Sequence, residues 1–222
     1  NAATMLLQSM KIAAEPPLSP QQSGWLDRIH VRLSDASSFL HDFSVLAALD
    51  AADMARQAEI LDIGPLVETA VEENQDMICA HGHTLEVEVV DNLPPTRSIK
   101  RLVHEAINNL ITNADKYTPA NGRIAVRVRQ NGDMVRVEVE DNGIGIAPDD
   151  QKRLFQAFVR IKRKDGMAAD VSGSGLGLSI VRRVAELHGG NVGVSSALNK
   201  GSTFFLELPI YSGRSAAQDT SL

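Results

Sequence analysis

Gly173-Ser174-Gly175-Leu176-Gly177-Leu178 opens a helical stretch that runs to about His188, and its reading decides the fold. Glycines at a helix N-terminus let successive backbone N–H groups close on an anion. A dinucleotide-binding fold sets such a loop directly behind an apolar strand. Here residues 161–172 come first, a long polar loop carrying Lys162, Arg163 and Lys164. That order is wrong for the dinucleotide fold, and the reading is rejected.

Two segments upstream hold polar groups that suit a nucleotide. Residues 99–117 read as an amphipathic helix containing Asn108, Asn109, Asn113, Lys116 and Tyr117. Asn109, Asn113, Lys116 and Tyr117 fall on one face, because residues three and four apart are helical neighbours. Asparagine is a mediocre helix former, so several in one helix point beyond folding. Amide oxygens can ligate Mg²⁺ beside phosphate oxygens, lysine can meet phosphate charge, and tyrosine can stack on a base. Taken alone, a solvated polar face explains this helix equally well. The second segment, Asp141-Asn142-Gly143-Ile144-Gly145-Ile146, directly follows a strand. A carboxylate there can accept from an exocyclic amine, and the glycines admit backbone to a flat ligand. The same residues would also make an ordinary turn.

Further out, residues 1–14 read as the end of a helix broken by Glu15, Pro16 and Pro17. Ser19 and Pro20 then restart one, with Ser as N-cap and Pro at the first helical position. Leu26, Ile29, Leu33, Ala36, Leu40, Phe43 and Ala47 recur by threes and fours, the spacing of a coiled-coil seam. One hairpin cannot bury that stripe, so pairing with a second copy into a four-helix bundle is expected; packing against its own domain is the alternative. The pattern changes near residues 62–65. Helices at 66–77, 99–117 and 176–188 alternate with strands at 84–90, 122–129, 134–140, 191–196 and 202–208. Asn131-Gly132 marks a hairpin between the second and third of these strands. The expected fold class is α+β: a helical hairpin over residues 1–60, a two-layer α/β sandwich over 61–211 and a flexible tail at 212–222.

Composition narrows the partners. The formal net charge of −6 argues against a nucleic-acid surface, which needs a basic patch. No apolar run approaches the roughly 20 residues that span a bilayer, and no basic-then-apolar leader is present. No membrane contact by this segment is expected. The lone Cys79 rules out an internal disulfide framework and suits a reducing cytoplasm.

In this order the segments resemble the transmitter region of two-component sensor histidine kinases, whose ATP-binding domain is of the GHKL type shared with type II topoisomerases and large heat-shock chaperones. Asn109-Leu110-Ile111-Thr112-Asn113-Ala114-Asp115-Lys116-Tyr117-Thr118-Pro119 looks like the N box. Asp141 to Ile146 looks like the first glycine box, and Leu154-Phe155-Gln156-Ala157-Phe158-Val159-Arg160 the F box. Gly173 to Leu178 resembles the second glycine box, and Gly201-Ser202-Thr203-Phe204 the closing strand. The resemblance implies ATP and Mg²⁺ as cofactors, with Asn113 and Asn109 at the metal, Lys116 facing phosphate and Tyr117 the purine. Asp141 would accept from the adenine amine while Gly143, Gly145 and Ile146 border the base. Arg160 would help bind or transfer the γ-phosphate, Gly173, Gly175, Leu176, Gly177 and Leu178 would frame the phosphates, and Thr203 would lie near the adenine floor. Residues 161–172 would be the lid. The implied partners are a second copy through the hairpin and a response-regulator receiver domain.

The sequence departs from that pattern at the phosphoacceptor. The family carries a His followed by Glu or Asp and a nearby Pro, and none of the six histidines sits in that motif. The acceptor is therefore expected upstream of residue 1. His104-Glu105 imitates the dipeptide, but within the N-box helix and without the proline. His30 and His41 are expected on the surface, Trp25 in packing and His188 as a helix C-terminal cap. Cys79, His81 and His83 look like metal ligands, yet occupy a turn before a strand, where a structural or surface role is expected. Two other functions stay open: a nucleotide-holding module that transfers nothing, and an ATPase of the same fold that drives clamp closure. The latter usually has glutamate where Asn109 stands; Glu105, one turn earlier, is a weak candidate base.

Overall fold

The computed structural model describes Met5, Ser9 and residues 18–47, 54, 56–161 and 174–213. Of the helix expected over residues 1–14, Met5 and Ser9 are described and helical; the rest lies outside the described residues, as does the tail from residue 214.

Helix α1 (Pro20–Ala47) starts at the expected cap. Gln22 N donates to Ser19 Oγ at 3.3 Å, and Ser19 N donates to Gln22 Oε1 at 2.9 Å. This reciprocal capping box satisfies two N–H groups that the first turn leaves unpaired. The seam on α1 faces outward: Ile29, Leu40 and Phe43 are 47%, 66% and 56% exposed. The opposite side turns Asp42 and Val45 inward, both buried against the α/β body.

That body begins with a two-stranded ribbon, β1 (Glu59–Leu61) antiparallel to β3 (Thr96–Ser98). Three-residue strands carry too little alternation to be read from sequence. Helix α2 (Ile63–Ala80) starts earlier than periodicity indicates, because Asp62 Oδ1 accepts from Gly64 N at 2.9 Å. Pro65 is tolerated within that first turn. Helix α3 (Lys100–Tyr117), the short α4 (Pro148–Gln151) and α5 (Gly177–Leu187) complete the helical layer.

Five strands form the main sheet: β2 (Thr84–Val89), β4 (Arg123–Asn131), β5 (Met134–Asp141), β6 (Asn191–Ala197) and β7 (Gly201–Pro209). Their order is β2-β4-β5-β7-β6, with β2 parallel to β4 and every other pair antiparallel. Ile124, Val126, Val137, Val139, Phe204 and Leu206 face the helices, where Val67, Val103, Ile107, Leu110 and Ile180 meet them. Strand periodicity sends the alternate residues to the other face. There Glu140 pairs with both Arg123 and Arg127, Arg136 reaches Glu138 and Glu207, and the Arg136 guanidinium lies 3.7 Å over the Phe205 ring. The two-layer sandwich expected from the sequence is the fold.

His188 does cap α5, as a neutral ring. Its Nε2 accepts from Ile99 N at 3.0 Å, so its proton sits on Nδ1 and is donated to Val184 O at 2.7 Å. One imidazole thus ties the end of α5 to the start of α3. Burial holds its pKa below the ordinary 6.5. The sign follows: its contribution to stability is complete above pH 6.5 and is lost as pH falls from there through the depressed folded value. His188→Leu is expected to leave Ile99 N unpaired, costing about 1–3 kcal/mol, and to remove that acid sensitivity. Thermal melts at pH 8 and pH 5.5 on both proteins check it.

The suspected Cys79, His81 and His83 group is divided. Cys79 is a free, exposed thiol, whereas His81 and His83 gather on buried Asp115 of α3. His81 Nδ1 lies 2.9 Å from Asp115 Oδ1. Gly122 N donates to His83 Nδ1 at 3.2 Å, so the His83 proton is on Nε2, which faces Asp115 Oδ1 at 3.7 Å. A protonated ring nitrogen has no lone pair to offer a metal. The cluster instead clamps the turn before β2 onto α3.

Candidate nucleotide-binding site

A cavity of about 720 Å³ opens between α3, the loop after β5, the start of α5 and the inner face of α1. One end is apolar with a carboxylate at its base. Asp141, 5% exposed at the last position of β5, accepts from Gly143 N at 2.8 Å through Oδ1. Burial is the main reason its pKa rises from 3.8 to about 6, against the lowering effect of N–H donors from Gly143 and Ser202. Ile144, Ile146, Leu198 and Phe204 line the walls around it.

The loop beyond Asp141 is fastened to the β6–β7 turn. Asn199 N donates to Ile144 O at 2.7 Å, Ile146 N donates to Ser196 Oγ at 2.8 Å, and Gln151 Nε2 donates to Ile146 O and Ser196 O. Gly145 takes φ +63°, and a Cβ there would stand 1.9 Å from Ala197 O. No residue but glycine fits.

The other end is polar. Among the described residues no side chain caps helix α5, so its first N–H groups suit a further acceptor. Gly175 turns the chain at φ +73°, and Gly177 lets α5 approach Asn109, whose Oδ1 would be 2.5 Å from an added Cβ. Asn109 Nδ2 donates to Glu105 O at 3.0 Å, which fixes the amide and aims its oxygen at the start of α5. Asn113, Lys116, Tyr117 and Arg160 line the same cavity. Burial raises the Tyr117 pKa above 10 while the nearby Arg160 charge lowers it.

Of the residues expected at the site, Asn109, Asn113, Lys116, Tyr117, Asp141, Gly145, Ile146, Arg160, Gly175, Gly177 and Leu178 line the cavity. Thr203 does not. On β7, Ser202 and Phe204 point to the cavity, and the two-residue period sends Thr203 to the outer face of the sheet. Gly143 and Leu176 stand behind the lining. Gly143 lets the loop pass the Tyr117 carbonyl, where a Cβ would be 2.3 Å away, and Leu176 is 1% exposed in the core. Asn108 reaches both the cavity rim and α2, where its Oδ1 accepts from Asn74 at 2.8 Å. Gly173 and the basic residues Lys162, Arg163 and Lys164 lie outside the described residues. The sequence reading missed Ser38, His41 and Asp42 of α1, which close the polar end. Two polar residues, His41 and Asp42, beside a hydrophobic seam were the one available signal.

The sequence profile of the histidine kinase-, DNA gyrase B- and HSP90-like ATPases matches residues 98–212. The chain belongs to that family. Within this ATPase family it resembles sensor histidine kinases over nearly its whole length. It is 30% identical over 194 residues to the sensor histidine kinase RppB of Synechocystis sp., covering 87% of this chain and 42% of that protein. The adaptive-response sensory kinase SasA of Gloeothece citriformis is 28% identical over 215 residues, covering 95% and 54%. The chain thus spans about half the length of the curated relatives it matches. Full-length ShkA in complex with AMPPNP superposes with a TM-score of 0.69 at 26% identity, covering 94% of this chain and 43% of ShkA. No described helix is long and apolar enough to cross a membrane.

Proposed function

We propose that this ATPase domain binds Mg-ATP and transfers the γ-phosphoryl group to a histidine outside residues 1–222, for relay to an aspartate of a response-regulator receiver domain. One observation carries the reading: a single cavity has a buried carboxylate at its apolar end and, at its polar end, a helix N-terminus that no side chain caps among the described residues. A purine amine fits the first and a polyphosphate the second. The phosphate-side donors are hard oxygens, the amides of Asn109 and Asn113 with the Glu105 carboxylate nearby, a set that suits Mg²⁺. When bound, the ion would neutralise phosphate charge.

The residues divide the work by position. Asp141 accepts from the adenine amine, the first N–H groups of α5 hold phosphate oxygens, and Lys116 and Arg160 offset negative charge on the transferring group. Such catalysis is positioning plus electrostatics, with little covalent chemistry asked of the protein. The outward seam of α1 favours a homodimer through the hairpin, since a second copy would cover Ile29, Leu40 and Phe43. The free thiol of Cys79 suits a cytoplasmic setting.

Calorimetric titration with ATP and Mg²⁺ tests binding, and a partner subunit carrying an intact upstream acceptor helix tests transfer. Saturable binding and acid-labile label on the partner are expected. Binding without any label on the partner would reduce the chain to a nucleotide-holding module, and stoichiometric label on His30 or His41 would overturn the placement of the acceptor.

A further inference from the structure

The polar end of the nucleotide cavity is closed by α1, which brings a carboxylate with it. Asp42 is 6% exposed, and its Oδ2 accepts from Ser174 Oγ at 2.5 Å. Ser174 Oγ in turn accepts at 3.0 Å from the N–H of Leu176, the residue just before α5. Asp42 is therefore linked through one hydroxyl to the backbone of the loop that would hold phosphate. On the same helix, His41 Nε2 lies 3.3 Å from Glu105 Oε2, and Val45 is buried in the core of the body. One turn away, the Phe39 ring sits 6.4 Å from that of Phe158, a residue held at φ +64° and 64% exposed. A bulky side chain rarely adopts that backbone. Its strain ends in a ring presented to α1.

The charges around Asp42 do not suit a carboxylate and a triphosphate together. Burial is the main cause that raises the Asp42 pKa; the Ser174 hydrogen bond opposes that, Glu105 adds to it, and His41 and Lys116 favour ionisation. Lys116 is the same cation expected to face phosphate. ATP would bring further negative charge into a space where two carboxylates already compete for it.

We propose that Asp42 acts as an internal anion at the phosphate end, so that docking of α1 and binding of ATP exclude one another. The inference rests on the nucleotide reading above. ATP then releases α1 from the body, freeing the hairpin helix to move relative to the domain that carries ATP. Linkage makes the effect reciprocal: whatever holds α1 docked weakens ATP by the same factor. Adenosine lacks phosphates and escapes the competition.

Titrations of the chain and of Asp42→Asn with Mg-ATP and with adenosine test this. The substitution keeps the size and an acceptor for Ser174 while removing the charge. Expected are about tenfold tighter ATP binding by Asp42→Asn and equal adenosine affinity for both proteins. Equal or weaker ATP binding by the variant would overturn the proposal, weaker binding marking Asp42 as a metal-side ligand instead. A second measurement needs no variant: amide exchange in residues 38–47 is expected to speed up on adding ATP, and protection or no change would sink the idea. If neither protein binds ATP or adenosine, the nucleotide reading itself falls and takes this inference with it.

Discussion

Asp141→Ala is expected to weaken ATP binding by about 100-fold while leaving the apo fold close to its original stability. The loss corresponds to about 3 kcal/mol, the scale of a charge-assisted hydrogen bond whose donor is left buried and unpaired. The small effect on the fold follows from the carboxylate's own strain. Its pKa of about 6 lies above the ordinary 3.8, so the folded protein prefers the protonated form. That preference contributes stability fully below pH 3.8, and the contribution is lost as pH rises through about 6. At neutral pH the ionised group is held at a penalty of about 3 kcal/mol, which alanine relieves as it gives up the Gly143 and Ser202 donors. Binding and stability thus separate in one variant.

The same carboxylate gives the site a pH dependence. Ionised Asp141 is the better acceptor for an adenine amine, so ATP affinity should fall as pH drops through about 6. Binding near pH 6 should release protons, visible as heats that change with the ionisation enthalpy of the buffer. In Asp141→Asn, Oδ1 can keep the Gly143 N–H bond, and the amide then turns an N–H toward the adenine amine. Donor would face donor, and ATP binding should be lost with its pH dependence. Retention of either would remove Asp141 from the adenine contact.

Gly145→Ala is expected to damage both fold and site, by about 4 kcal/mol in denaturant unfolding and by loss of ATP binding. The backbone at φ +63° costs an alanine about 1–2 kcal/mol. The remainder comes from the added Cβ, placed 1.9 Å from Ala197 O, a backbone atom that the β6–β7 turn holds firmly. Gly132→Ala isolates the first contribution: φ is +59°, with nothing within 4 Å of the new Cβ. That variant should lose only about 1 kcal/mol and bind ATP normally. Equal losses in the two would show that backbone conformation, not the close approach of the loop to the turn, accounts for the effect.

The sequence by itself determined everything that nearest neighbours along the chain decide. Ser19 and Gln22 cap α1 because their own atoms reach each other. Asn131-Gly132 closes the β4–β5 hairpin, and alternation in β4, β5 and β7 fixes which residues enter the core. Asn109, Asn113 and Asp141 were legible because costly residues stood at regular spacing or directly behind a strand. What tertiary structure decided are contacts between segments far apart in sequence. The parallel pairing of β2 with β4, the Asp115 clamp on His81 and His83, and the two-ended use of His188 join elements whose local patterns do not mention each other. Thr203 shows the limit of a motif, since the box gives the segment but the pleat gives the face. Asp42 shows it most sharply: on its helix it is one polar residue beside an apolar seam, and it acquires a role because Val45 and Ser174 draw that face onto the body. Local propensity sets where an element begins and which stripe is apolar; burial of that stripe against a distant partner sets what its remaining side chains meet.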